Sequence, residues 1–224
     1  MSLSLYILSL LGYTGAFLFY GRFYLQWLVS EVRRESVMPR AFWYMSMAGS
    51  VFLLLYGVFV LNSPLGALSH CFNSVIYARN MVHIWRREGN LSKRQSLLFQ
   101  SAVAVFVGIG SLLVLYTLFK EYDASKEEAL SVQLTNWIWI AVGVFGQALF
   151  ALRFFIQWIV TEIRKESVIP ASFWYLSVAA SLLMICSHGQ RHEWLYTVGI
   201  ASTLLVYFRN IYWIRRGAVP PSSE

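Results

Sequence analysis

Four arginines stand inside long apolar runs of this 224-residue chain: Arg22, Arg79, Arg153 and Arg209. A guanidinium keeps its proton at any physiological pH and presents a planar fork of donors that fits pairs of phosphate or carboxylate oxygens. The chemistry within reach of such groups is therefore anion binding. Arg22 and Arg153 open the motif Arg-Phe-x-x-Gln-Trp, which puts Gln26 and Gln157 four residues on, along the same helix face. Arg79 and Arg209 belong to a second motif, Tyr-x-Arg-Asn-x-x-x-Ile, which adds Tyr77 and Asn80, and Tyr207 and Asn210. Arginines at matched positions, each with a neighbouring amide, read as a converging site in which the guanidinium groups hold the anion and the amides orient it.

The energetics sharpen the expectation. An arginine at the centre of a membrane helix costs about 2.5–3.5 kcal/mol on insertion scales, so four cost on the order of 10 kcal/mol unless compensated. Every Asp and Glu of the sequence falls in a loop, a tail or at a span end, so no intramembrane carboxylate is expected. Glu31 is nine residues from Arg22 and roughly 180° around the helix from it, a poor partner. Glu31 and its counterpart Glu162, with Tyr77 and Tyr207, are secondary candidates. Two readings follow. The missing charge is an anionic ligand, or the arginines, roughly 10–12 Å from the cytoplasmic ends of their helices by residue count, snorkel to inner-leaflet lipid phosphates.

The elements that position these groups come from a duplication. From Arg22 to Ser50 and from Arg153 to Ser181, 17 of 29 positions are identical, including Glu-x-Arg-x-Glu-Ser-Val-x-Pro-x-x-Phe-Trp-Tyr after each Gln-Trp. Internal repeats decide architecture before other signals. With 58% hydrophobic and 13% charged residues, the chain carries about half the charge of a soluble globule. An all-α polytopic membrane protein is expected, with apolar runs at 4–29, 40–61, 64–85, 96–119, 134–160, 171–187 and 194–214, each near the ~20 residues a span requires. Three spans fall in each copy and one joins them, giving a 3+1+3 arrangement of seven transmembrane helices. An odd linker makes the two copies parallel, as in SWEET transporters. The expected divisions are a first three-helix repeat at 1–90, a linker helix at 91–125, a second repeat at 126–217 and a tail at 218–224.

Orientation follows from the eighteen Lys and Arg residues. With the N-terminus outside, Arg33, Arg34, Arg40, Arg86, Arg87, Lys93, Arg94, Arg164, Lys165, Arg215 and Arg216 lie inside, and Lys120, Lys126 and Arg191 lie outside. The positive-inside rule then selects N-out, C-in, and the +7 balance is a topology signal rather than a sign of nucleic-acid binding. All nine tryptophans fall near span ends, as interfacial anchors do. Residues 1–11 lack the basic leader of a cleaved signal peptide and read as the start of a permanent helix.

The remaining chemistry-bearing residues point to structure. His70 and His83 have no repeat counterparts and read as structural; His188 and His192 are expected in an outside loop, and no spacing resembles a metal site. Cys71 and Cys186 read as small core residues. Pro39 and Pro170 stand at helix starts. Gly12-x-x-Gly15 and Gly143-x-x-Gly146, with Ser46/Ser50 and Ser177/Ser181, permit close helix approach. No acid/base or nucleophile–base pair falls within the spans, so no catalysis and no cofactor are expected.

With both motifs in view, Arg-Phe-x-x-Gln-Trp…Glu-Ser-Val-x-Pro-x-x-Phe-Trp-Tyr followed by Tyr-x-Arg-Asn resembles the lipid A biosynthesis N-terminal domain family, distantly similar to PQ-loop and SWEET transporters. The resemblance covers both copies. It implies a small multi-pass protein of the bacterial inner membrane, with some family members resembling flippases for polyprenyl-phosphate-linked amino sugars. The chain lacks the Pro-Gln dipeptide of the SWEET turns and contains no glycosyltransferase domain, so neither simple sugar transport nor disaccharide synthase activity is carried over. The expected function is transport of an anionic lipid-linked sugar, undecaprenyl phosphate bearing an amino sugar, for lipid A modification. An accessory subunit of a membrane lipid A glycosyltransferase and a SWEET-like small-solute permease remain as alternatives.

Overall fold

A computed structural model describes the chain over residues 3–33, 39–89, 91–164 and 170–215; within these, the side chains of Ser30, Arg33, Arg87, Trp158, Thr161, Glu162, Arg164 and Trp213 are left aside. The described residues form seven α-helices: α1 (Leu3–Arg33), α2 (Arg40–Phe59), α3 (Pro64–Arg87), α4 (Lys93–Ser125), α5 (Leu130–Arg164), α6 (Ala171–Gln190) and α7 (Trp194–Arg215). Each coincides with one of the apolar runs read from the sequence, α2 ending two residues before its run does. Five are both long and apolar enough to cross a membrane: α1 over Leu3–Val29, α2, α4, α5 over Leu130–Gln157, and α6. The other two, α3 and α7, have 24 and 22 residues, length enough for a crossing. What sets them apart is polarity, since they carry the two Tyr-x-Arg-Asn motifs, and α3 also holds His70, Asn73 and His83.

Local sequence explains where the helices begin. Pro39 and Pro170 sit at the N-caps of α2 and α6 with extended ψ values of 148° and 153°, where a missing N–H leaves no bond unmade. Ser63 caps α3, its Oγ accepting from Gly66 N at 2.9 Å ahead of Pro64. Ser92 and Gln95 form a reciprocal capping box at the start of α4. The connections before α3 and before α7 each contain a residue in the left-handed region, Asn62 at φ 49° and His192 at φ 56°. The duplication thus extends to the turns.

The chain packs as two compact units, residues 1–22 with 39–133 and residues 23–38 with 134–224. In the first, α2 packs on α3 and α3 on α4, around a core of Leu54, Val58, Ala67, Cys71 and Val114. Cys71 is buried there as a free thiol; Cys186, free as well, is exposed. Glycines let α1 approach α2: a Cβ on Gly12 would overlap the Tyr56 ring, and one on Gly15 would lie 2.7 Å from Phe52 Cβ. Gly49, facing them from α2, would meet Phe19 N at 2.9 Å. In the second unit α6 packs on α7, with Ala180, Met184, Tyr196 and Ile200 buried. A Cβ on Gly146 of α5 would stand 3.1 Å from Met184 Cγ.

Gly15→Val therefore forces α1 from α2, an overpacking cost of about 1–3 kcal/mol, whereas Gly108 of α4 faces open space. Thermal unfolding in detergent checks the pair: Gly15→Val lowers Tm by several degrees and Gly108→Ala leaves it unchanged.

Candidate functional site

Among the described residues, Arg22 and Arg153 are the arginines that the fold buries, 5% and 7% exposed. Each is enclosed by the three helices of its own repeat. Around Arg22, the guanidinium carbon lies 3.8 Å from the ring centre of Phe19 (α1), 5.1 Å from that of Phe42 (α2) and 4.9 Å from that of Tyr77 (α3). Around Arg153, the distances are 4.5 Å to Phe150 and 4.8 Å to Phe154 (α5), 4.9 Å to Phe173 (α6) and 5.7 Å to Tyr207 (α7). Phe19, Phe42 and Tyr77 correspond in the repeat to Phe150, Phe173 and Tyr207. Aromatic faces attract a cation, by about 2 kcal/mol or more each when water is excluded.

The second unit shows how the donors are used. Arg153 Nη1 donates to Ser177 Oγ at 2.6 Å and to the Tyr207 hydroxyl at 3.3 Å. The Ser177 hydroxyl in turn donates to Phe173 O at 2.6 Å, so its lone pair is turned to the arginine. Ser46 makes the same bond to Phe42 O in the first unit. Each tyrosine also packs beside a tryptophan, Trp43 with Tyr77 at 6.4 Å and Trp174 with Tyr207 at 6.1 Å between ring centres. These two tryptophans hold the site as well as standing near span ends.

Among the described residues, the charge of Arg153 is not met by a carboxylate. Among the described residues it forms no ion pair, and its Nε, buried, finds no hydrogen-bond acceptor. Rings and hydroxyls solvate a guanidinium but do not neutralise it. A buried cation of this kind favours an anion strongly, because Coulomb attraction grows as water is excluded.

Arg79 and Arg209 do not join these sites. Tyr77 and Arg79 are two residues apart, roughly 200° around α3, so with Tyr77 against Arg22 the Arg79 side chain is turned away, and it is exposed. Arg209 is half-buried, pairs with Glu31 and lies 5.5 Å over the Trp27 ring. Glu31, weighed from the sequence only against Arg22, is thus the partner of Arg209 instead. Glu31 is indeed on the wrong face for Arg22, but the end of α1 lies along α7, where Tyr24 also donates to Ser202 O at 2.9 Å. The side chain of Glu162, its counterpart, lies outside the described residues, as do Glu35 and Glu166 of the following turn.

The amides behave differently from expectation too. Gln26 and Gln157 are both partly buried. Asn80 and Asn210 donate to the carbonyls one turn back, Ile76 O at 2.8 Å and Val206 O at 2.7 Å. Each keeps an amide oxygen for another partner. His70 is buried with its ring edge-on to Phe19 at 4.7 Å, in keeping with a structural role, and His83 is exposed. His188 is a correction: it lies in the last turn of α6 rather than in a loop, fully buried beside Glu193. No cluster of His, Cys, Asp and Glu able to hold a metal occurs among the described residues.

The sequence reading missed Phe19/Phe150 and Phe42/Phe173 as walls of the site, and gave Ser46/Ser177 only a packing role. A signal was present: Phe precedes each buried arginine by three residues, one helical turn.

The hydroxyls make the first prediction of this site. Tyr207→Phe takes an acceptor from a buried guanidinium and costs about 1–3 kcal/mol, whereas Glu31→Gln breaks an exposed pair at about 1 kcal/mol or less. Melting curves in detergent will rank Tyr207→Phe as the more damaging; the reverse order contradicts the assignment.

Comparison with known proteins places this geometry in context. The family model described as "Lipid A Biosynthesis N-terminal domain" matches twice, at residues 11–82 and 142–212, together more than half of the chain. Each match contains one complete cage. Proteins named lipid-A-disaccharide synthase are similar in sequence: that of Chlamydia trachomatis serovar D is 35% identical over 163 residues, 72% of this chain and 26% of that protein. That of Chlamydia muridarum is 34% identical over 171 residues, 75% of this chain and 28% of that protein. The chain thus spans little more than a quarter of the length of these relatives. No solved structure matches it.

Proposed function

The chain belongs to the Lipid A Biosynthesis N-terminal domain family, and on that premise we propose that it is a membrane transporter of flippase type for an anionic lipid-linked sugar. The substrate in this reading is undecaprenyl phosphate bearing an amino sugar, used in lipid A modification at the bacterial inner membrane. The observation that carries the proposal is the Arg153 guanidinium, buried among rings and hydroxyls with no ion pair among the described residues. Phosphate is the anion its fork fits best. The same rings recur around Arg22.

Arg22 and Arg153 bind phosphate, and Tyr77, Tyr207, Ser46 and Ser177 hold the guanidinium groups in place. Gln26, Gln157 and the open amide oxygens of Asn80 and Asn210 contact the sugar. Arg79 and Arg209, nearer the surface, draw the anion in. All seven helices cross the membrane in a parallel 3+1+3 order, N-terminus outside. No reaction is catalysed, because the site offers positive charge and hydrogen-bond donors without a nucleophile or general base.

A second reading has its own support. The lipid-A-disaccharide synthases carry a segment similar to this chain as about a quarter of their length, which favours an accessory role beside a lipid A glycosyltransferase. Loss of the gene separates the two. A transporter's absence leaves the lipid-linked donor made and lipid A unmodified; an accessory subunit's absence stops the glycosyl transfer that its partner performs.

Arg153→Lys and Arg22→Lys test the site itself. An ammonium cannot reproduce a planar bidentate contact, so each will lower lipid A modification by about tenfold or more, the loss of roughly one strong hydrogen bond, at unchanged membrane abundance. Arg79→Lys, exposed, will retain most activity. Mass spectrometry of lipid A reads the result, and normal modification in Arg153→Lys would remove the site from consideration.

A further inference from the structure

The second helix of each repeat carries two buried serines one turn apart, and hydrogen bonds account for only the first of each pair. Ser177 and Ser181 of α6, like Ser46 and Ser50 of α2, are 0% exposed. Ser177 is engaged on both sides: its hydroxyl donates to Phe173 O and accepts from Arg153 Nη1. Ser46 likewise donates to Phe42 O. Among the described residues, the hydroxyl oxygens of Ser181 and Ser50 have no hydrogen-bond partner. Helical serines elsewhere in the chain donate to a carbonyl three or four residues back, as Ser74 and Ser111 do. The second serine departs from that pattern in both copies of the repeat.

Close packing does not account for the departure. A small side chain is all that a helix crossing requires, and alanine would supply it without burying a polar group. The preceding position shows as much: it is Gly49 in one copy and Ala180 in the other, each packed against the first helix of its own repeat. A buried hydroxyl without a partner is costly, yet the next position carries one in both copies.

Helix geometry sets Ser181 close to the buried guanidinium. The i, i+4 spacing holds the Cβ atoms of Ser177 and Ser181 about 5–6 Å apart on one face of α6, and the Ser177 hydroxyl is 2.6 Å from Arg153 Nη1. Long side chains on a helix turn back toward its N-terminus, so Arg153 reaches along α5 toward Phe150, with its guanidinium carbon 4.5 Å from that ring centre. Gly146 of α5 lies against Leu183 and Met184 of α6, while Arg153 meets Ser177, so the two helices run antiparallel. The same direction therefore leads along α6 from Ser177 to Ser181. Two buried donors without acceptors among the described residues, Arg153 Nε and the Ser181 hydroxyl, thus flank the Ser177 contact on adjacent helices.

We propose that Ser181 is a further ligand-binding residue, its hydroxyl and Arg153 Nε donating to oxygens of one phosphate group. The oxygens of a tetrahedral phosphate do not share one plane, so the fork of Arg153 and a hydroxyl from α6 engage it together. The inference rests on the reading of Arg153 as a phosphate site. The phosphate is a lipid headgroup or the free ion, the same chemistry from two sources.

Native mass spectrometry of the purified full chain, titrated with undecaprenyl phosphate, with undecaprenol and with inorganic phosphate as competitor, tests it alongside melting curves in lipid-free detergent. Ser181→Ala will weaken binding of undecaprenyl phosphate by about tenfold, the loss of one hydrogen bond to a charged group, and leave undecaprenol binding as it was. Its lipid-free Tm will not fall, because removing a hydroxyl that bonds nothing leaves no partner unpaired. Ser177→Ala, by contrast, takes an acceptor from Arg153 and will lower Tm. Inorganic phosphate that displaces the lipid from the wild type, and does so less well in Ser181→Ala, identifies the free ion as a ligand; no displacement assigns the site to the headgroup. Undiminished affinity of Ser181→Ala, where Arg153→Lys does lose the preference for phosphate over undecaprenol, overturns this inference alone. A wild type without that preference overturns it together with the Arg153 reading. A lower lipid-free Tm in Ser181→Ala also overturns it, since the hydroxyl is then bonded within the protein.

Discussion

A side chain that cannot give up its proton, placed where water does not reach, sets the terms for this structure. Arg22 and Arg153 are both such groups, and the fold around each is arranged to make burial tolerable. Aromatic faces surround each guanidinium, and at Arg153 a serine hydroxyl turned by its own helix carbonyl and a tyrosine hydroxyl from the third helix of the repeat accept from it. Glycines on α1, α2 and α5 let the helices come close enough for these contacts. Removing the arginine leaves a hydroxylated aromatic pocket without a purpose; removing the pocket leaves a charge that three packed helices cannot hold.

The Tyr-x-Arg-Asn motif divides its work by helical phase. Tyrosine turns inward to the buried arginine, and the following arginine, roughly 200° away, turns outward. In the second unit that outward arginine is claimed by Glu31 at the end of α1, and in the first it stays exposed. Two copies of one motif have therefore acquired different surroundings. Duplication preserved the cages and let the ends diverge.

Much of this was legible in the residues. The repeat spacing, the prolines before α2 and α6 and the lengths of the apolar runs identify seven helices, because each signal is local: a missing N–H, a period, a length. Burial of Arg22 and Arg153 follows from their apolar context. The roles of Arg79 and Arg209 were misjudged because matched depth along a helix says nothing of direction around it until one neighbour is anchored, and Tyr77 is that anchor. The Glu31–Arg209 pair joins residues 178 apart and depends on where the end of α1 lies, which no local pattern encodes. His188 and Glu193 were hidden for a similar reason: a short polar segment reads as a loop until α6 is seen to run to Gln190.

The central claim is that the Arg153 site binds phosphate on a lipid. Native mass spectrometry of the purified full chain with undecaprenyl phosphate and with uncharged undecaprenol measures this most directly. The phosphate-bearing lipid should remain bound to the wild type while undecaprenol is lost, and Arg153→Lys should erase the difference between them. Equal retention of both lipids by the wild type, or undiminished preference for the phosphate in Arg153→Lys, would contradict the account.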